Sequence, residues 1–216
     1  MTISYRPRNV IGRGAAAFGL LATLLVTAPQ VTAQDLAAVP QKAQVCIGCH
    51  GAGGNSQISS MPNLAAQPKQ FLVSAMYMFR EGNRKNAMMA PMVANLSNAD
   101  LNELATYFSS QKLDAPKSKL TASQIATGVA LTQQHNCVAC HAANLGGQQH
   151  IPRLAGQQYE YVKAQLTGFH ASTRYDMDGV MTSAAQALSE QDIEALSVYV
   201  SGLALPPATA TTTAAK

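Results

Sequence analysis

The chain has 216 residues, with 15 Lys and Arg against 11 Asp and Glu and a formal net charge of +4. Arg6, Arg8 and Arg13, and no acid, fall in the first 33 residues, so the rest carries only +1. No basic run with interleaved aromatics remains, which excludes a nucleic-acid partner.

The first element reads as an export signal. "MTISYRPRNVIGRG" is basic, "AAAFGLLATLLV" is apolar, and "TAPQVTA" ends with Val31 and Ala33 in the small-residue pattern of a cleavage site. The apolar stretch falls short of the roughly 20 residues that a membrane-spanning helix needs. Residues 1–33 are therefore expected to be removed, leaving a soluble exported protein that starts at Gln34, with no later segment apolar enough to span a bilayer.

Next, "LAAVPQKAQ" reads as a helix shortened or bent by Pro40, followed by "VCIGCH" at 45–50. The same pattern returns as "NCVACH" at 136–141, behind the helical stretch "SQIATGVALTQQ". Four cysteines in an exported chain would ordinarily suggest two disulfides. Here all four, Cys46, Cys49, Cys137 and Cys140, sit inside the two motifs. A thioredoxin-like pair would not require the histidine and should lie in a strand-helix unit, which neither motif has around it. Zinc would have to take two ligands from adjacent positions such as Cys49 and His50, without the usual zinc spacings. Covalent haem accounts for every position: the two thiols add to the vinyl groups, and His50 or His141 becomes the proximal iron ligand.

The duplication extends through the next segments. "MPNLAAQPKQFLVSAMYMFREGNR" (61–84) and "IPRLAGQQYEYVKAQLTGFHASTR" (151–174) pair Pro62 with Pro152, Gln67 with Gln157, Phe71 with Tyr161 and Arg84 with Arg174, each ninety positions apart. "LSNADLNELATYFSSQ" and "LSEQDIEALSVYVSGL" then match at an offset of ninety-two. Ser97 with Asp100, and Ser189 with Asp192, are N-cap signals. Behind them Leu101, Leu104, Ala105 and Phe108, or Ile193, Leu196 and Val200, give each helix one buried stripe. Nothing suggests a sheet. Each copy is a small helical domain whose core a covalent haem would largely complete. The expected layout is domain 1 at 34–114, a linker at 115–119 within the charged stretch "KLDAPKSKL", domain 2 at 120–205, and a biased, disordered tail at 206–216. The first domain carries +1 and the second −3. That asymmetry is either an orienting device for a partner or ordinary solvated surface.

For the second axial ligand, methionine suits an electron carrier because its thioether favours reduced iron and raises the potential. Met89 stands seven residues before Leu96, and Met181 seven before Leu188. Met92 and Met177 have no such counterparts, so the duplicated register favours Met89 and Met181, with Met92 the alternative for the first site. Met76 and Met78 read as core filler. His135, His150 and His170 align with Gln44, Ser60 and Arg80 and read as surface or supporting residues.

Together, the two Cys-x-x-Cys-His units, "PNLAAQ" and "PRLAGQ", "REGNR" and the two "LS..D...L..Y" helices resemble the dihaem class I cytochromes c of the cytochrome c4 type, over nearly all of residues 35–204. The resemblance implies an all-α protein: two tandem cytochrome c domains, each a few helices around a covalent haem c, with the haems facing one another across the interface. It implies a periplasmic electron carrier rather than an enzyme. Single electrons would pass from a membrane quinol-oxidising complex, a quinol-cytochrome c reductase-like donor, to a terminal oxidase or reductase, with peripheral membrane association left open. It further implies that the carbonyls of Pro62 and Pro152 accept the ring N–H of His50 and His141. One departure stands out: Gly128 supplies the small residue expected where the first helix crosses the last, whereas its counterpart is Ala37, which predicts a looser or displaced crossing in the first domain. Two other readings stay open, a dihaem peroxidase-like or sulfur-compound oxidoreductase, and the haem-bearing subunit of a larger respiratory dehydrogenase or oxidase complex.

Overall fold

The computed structural model describes residues 39–205; the expected signal segment, the start at Gln34, Ala37 and the tail at 206–216 lie outside them. Within that range the first half holds α1 (Gln41–His50), a 3-10 turn (Ala52–Gly54), α2 (Lys69–Arg80), α3 (Met89–Val93) and α4 (Asn98–Ser110). The second holds α5 (Ala122–Gln134), α6 (Cys137–His141), α7 (Tyr159–His170), α8 (Val180–Ala185) and α9 (Glu190–Gly202). Among the described residues there is no strand, only an isolated bridge between Gln148 and Ile151.

The predicted caps form. Ser97 accepts from the Asp100 N–H while Asp100 accepts from the Ser97 N–H, and Ser189 and Asp192 do the same for α9, so two orphan N–H groups at each helix start are satisfied reciprocally. A third such box opens α5, between Thr121 and Gln124, and "TASQ" is its signature in the sequence. Leu101, Leu104, Ala105 and Phe108 are buried on α4, and Ile193, Leu196 and Val200 on α9, which confirms both stripes.

Pro40 starts α1 rather than bending it. It occupies the N-cap, so its missing N–H costs no helical hydrogen bond, and α1 continues unbroken through the first Cys-x-x-Cys-His motif. In the second half the helix stops at His135, Asn136 turns left-handed (φ 55°), and α6 carries the motif as a separate turn. The longer α5 crosses α9 at Gly128, where a Cβ would stand 2.0 Å from Cγ of Tyr199. The shorter α1 reaches α4 through the fully buried Ala43, which packs with Leu104, Ala105 and Phe108.

The halves pack as one compact unit, and the contact between them repeats with two-fold-like symmetry. Phe71 at the start of α2 donates its N–H to the Gln149 carbonyl (3.1 Å), and its equivalent Tyr161 at the start of α7 donates to the Ser59 carbonyl (3.1 Å). Each helix thus has an otherwise unpaired first-turn donor satisfied by a loop of the other half. Residues 112–119 are mostly exposed, and Asn55 fastens that stretch by bonding the Lys112 carbonyl and the Asp114 N–H, both at 2.9 Å.

Candidate functional site

The four thiols lie where each motif helix ends on its histidine. No disulfide joins them; Cys49 and Cys140 are exposed, while burial pushes the thiols of Cys46 and Cys137 above their ordinary value. The i, i+3, i+4 spacing places both sulfurs and the histidine along one helix face, a turn apart. His50 and His141 are both buried.

Each ring is held by the predicted carbonyl, His50 Nδ1 on Pro62 O at 2.9 Å and His141 Nδ1 on Pro152 O at 2.8 Å. A carbonyl only accepts, so Nδ1 must carry the proton and Nε2 must present its lone pair. Burial lowers both imidazole pKa values, with the carbonyl bond partly opposing it, which favours the neutral, ligating form. Twice over, then, the chain presents a fixed neutral imidazole with a free Nε2 beside two free thiols. Among the described residues no group of three or more His, Cys, Asp or Glu side chains is placed to hold a metal ion, so the zinc alternative lacks a donor set.

Met89 opens α3 and Met181 lies in the first turn of α8; both are half-buried, and Met181 packs against the buried cluster of Phe169, Ala185, Leu188, Ile193 and Leu196. Met88, Met92 and Met177 are exposed. The two half-buried methionines are positioned by side chains that sequence reading did not single out. Asn86 accepts the Met89 N–H at 2.9 Å, and Asp176 accepts the Met181 N–H at 2.8 Å. An Asn or Asp shortly before a short helix was the available signal.

Of the remaining histidines, His135 and His170 lie against other parts of the second half and His150 sits at the surface. His170 Nδ1 bonds the Ala185 carbonyl at 3.0 Å, His135 lies 3.8 Å from Asp192, and His150 is exposed near Asp178.

Two buried cations, both in the second half, test whether it suits a haem. Arg153 is fully buried, and desolvation lowers its pKa to about 10. Its guanidinium donates to the carbonyls of Ala155 and Ala65, leaving Nε without a partner. Arg174 lies over the Phe169 ring (4.1 Å to the centroid) and is also held at about 10, by desolvation and then by Arg84; its Nε too is orphaned. Neither pairs with a carboxylate among the described residues. A buried guanidinium with an unmet N–H calls for an anionic acceptor, and a haem brings two carboxylates. The residues present fit the group.

Arg84 behaves differently from its equivalent Arg174. It lies over Phe79 (4.4 Å) and also reaches into the second half, donating to the Tyr161 hydroxyl (3.0 Å) and to Gln165 (2.8 Å). Burial alone would raise the Tyr161 phenol, but Arg84 and Arg174 more than offset it, and its pKa lies below the ordinary value.

Comparison with known proteins agrees with this geometry. Residues 125–204 match the family model described as cytochrome c, and residues 32–108 match one described as cytochrome c oxidase, cbb3-type, subunit III. The chain is 38% identical over 196 residues to cytochrome c4 of Pseudomonas aeruginosa, an alignment covering 85% of this chain and 96% of that protein. It is 32% identical over 182 residues to a thiosulfate dehydrogenase electron acceptor of Thiomonas intermedia, covering 79% and 84%. The crystal structure of reduced recombinant cytochrome c4 from Pseudomonas stutzeri superposes with a TM-score of 0.70 at 34% identity, over 76% of this chain and 95% of that one.

Proposed function

The chain belongs to the cytochrome c4 family and carries two covalently bound haem c groups in two cytochrome c domains, and from that premise we propose that it is a periplasmic electron carrier. It takes single electrons from a membrane quinol-oxidising complex and passes them to a terminal oxidase or reductase. In this reading residues 34–114 and 120–205 are the two domains. Cys46 and Cys49 anchor one haem and Cys137 and Cys140 the other, with His50 and Met89, and His141 and Met181, as the axial iron ligands.

Haem when bound supplies one-electron ferric and ferrous chemistry; the rest falls to side chains. Pro62 and Pro152 keep each imidazole in the Nδ1–H tautomer and in one orientation. Asn86 and Asp176 hold the methionine-bearing turns. If Met89 and Met181 complete the iron opposite His50 and His141, no substrate needs to reach it, which would favour a carrier over a peroxidase-like enzyme. The observation that carries the reading is the paired presentation of a fixed, buried imidazole in both halves, each with a half-buried methionine at an equivalent position.

The test is a redox-titrated absorption spectrum that includes the near-infrared thioether-to-ferric-iron band. Met89→Ala and Met181→Ala should each remove about half of that band. Loss with Met92→Ala instead would reassign the first ligand, and a high-spin resting haem would overturn the carrier reading.

The likeness to a thiosulfate dehydrogenase electron acceptor favours a second reading, the haem-bearing partner of a larger dehydrogenase. Stoichiometric co-purification with such an enzyme in mild detergent would select it over a free shuttle.

A further inference from the structure

Between the halves, two buried glutamine amides grip the other half's backbone. Gln157 Oε1 accepts the Asn63 N–H (2.6 Å) while its Nε2 donates to the Asn63 carbonyl (2.9 Å). Ninety residues away, Gln67 Oε1 accepts the Arg153 N–H (2.9 Å) while its Nε2 donates to the Arg153 carbonyl (3.0 Å). Because a backbone N–H only donates, the amide orientation is unambiguous in both. Gln67 and Gln157 are themselves buried.

The N–H of Asn63 belongs to the same peptide unit as the carbonyl of Pro62, and the N–H of Arg153 to the same unit as the carbonyl of Pro152. Those are the carbonyls that hold His50 and His141. Two continuous chains result. One runs from His50 Nδ1–H to Pro62 C=O, through the peptide to Asn63 N–H and on to Gln157 Oε1. The other runs from His141 Nδ1–H to Pro152 C=O, Arg153 N–H and Gln67 Oε1. Serial hydrogen bonds polarise one another, by about 10–30% per bond. An acceptor on the N–H side of a peptide makes its carbonyl a better acceptor, which draws the histidine proton outward and leaves a more electron-rich imidazole. Electron-rich imidazole stabilises ferric over ferrous iron.

We propose that Gln67 and Gln157 are reciprocal positioning residues, each tuning through a shared peptide the proximal histidine, and hence the reduction potential, of the haem in the opposite domain. The tuning rests on the reading of His50 and His141 as iron ligands. It makes the interface an electronic element as well as an adhesive one: a partner that shifts one domain against the other changes both potentials through two defined bonds.

The experiment is spectroelectrochemical titration of the full dihaem protein, with the haems told apart by the hyperfine-shifted proton resonances of their own domains. Gln157→Leu should raise the potential of the haem on Cys46 and Cys49, by about tenfold in its ferrous-to-ferric ratio, or ~59 mV for one electron. The haem on Cys137 and Cys140 should move by less than about a third of that. Gln67→Leu should give the reverse assignment. Gln157→Glu separates polarisation from packing and serves if the leucine variants do not fold. A protonated Glu restores the wild-type value by repeating the amide's donor and acceptor, and an ionised one lowers the potential. Equal shifts at both haems, a shift in the glutamine's own domain, no shift, or a rise in Gln157→Glu as large as in Gln157→Leu would each overturn the proposal. Wild-type spectra without shifted ring protons from His50 and His141 would instead overturn the ligand assignment, so the two failures are distinguishable.

Discussion

In the first half a single helix, α1, runs from Pro40 straight through Cys46, Cys49 and His50; in the second the same span is broken at Asn136 into α5 and α6. At the next turn both halves put a left-handed residue whose carbonyl accepts two N–H groups, but that residue is Gly54 in one and the fully buried Leu145 in the other. Glycine takes that conformation without strain, and leucine accepts about 1–2 kcal/mol in exchange for core contacts with Ala155, Val162 and Tyr199. Further on, Asn63 in the first half is replaced by Arg153 in the second, and Phe71 by Tyr161, at equivalent interface positions. The groups assigned to iron and their direct supports, the histidines with the prolines and the glutamines, are repeated almost atom for atom. The scaffold behind them has drifted. Duplicated chemistry constrains the few atoms that set a ligand's orientation, while many packings can deliver it.

The most disruptive way to probe this difference is at the helix crossing. Gly128→Ala forces a Cβ into Tyr199, at the upper end of the usual overpacking cost of about 1–3 kcal/mol and only partly offset by the ~1 kcal/mol that alanine gains in a helix. A net loss of about 2 kcal/mol in a domain of this size should lower its Tm by roughly 8–16 °C in a scan followed by far-ultraviolet circular dichroism, with the second domain's haem absorbance changing first. Simultaneous loss at both haems would show that the halves unfold as one.

Making the second half resemble the first is the next step down. Tyr161→Phe copies Phe71 and removes one Arg84 bond while Gln165 keeps the other; the expected cost is about 1 kcal/mol in chemical denaturation. A variant as stable as the parent would mean that the cross-half Arg84 contact carries no net energy.

The smallest effect separates the two caps by pH. Asp100 is held at about 2, first by its bond from Lys42 and then by Ser97, against an ordinary value of 3.8. Asp192 is also lowered, by Ser189 first and by His135 last. A depressed carboxylate adds stability that is fully present above its ordinary value and lost as pH falls through its folded value. Asp100→Asn should therefore flatten the acid limb of stability between about pH 4 and 2, visible in an acid titration by circular dichroism. Asp192→Asn should flatten a similar limb without the contribution of Lys42. Identical titrations would assign the effect to the shared capping box alone.

The repeated motif, both serine caps, the buried stripes and the Pro62 and Pro152 carbonyls were all legible in the residues. They are local, or they recur at a fixed offset, and repetition within one chain replaces the comparison that a single site would lack. Pro40 was legible as a constraint, although only the structure showed that it opens the helix rather than bending it. Gln67 and Gln157 stood in the aligned segments from the start, but nothing in one strand of sequence says that a side chain pairs with the peptide of residues about ninety positions away. Nothing in the sequence marks Arg153 as a cation that packing encloses completely.

What the sequence determined by itself is therefore the covalent chemistry and its multiplicity: two thiol pairs, two imidazoles and two candidate thioethers, set by residue type and spacing, which act over one or two helical turns. What the tertiary structure alone decided is how the two copies meet. Which N–H a buried amide satisfies, which guanidinium loses its water and which glycine admits a tyrosine ring depend on groups brought together from distant positions. Burial is what makes those pairings obligatory, because an unmet hydrogen bond away from water costs about 1–3 kcal/mol, a large share of what holds a domain folded.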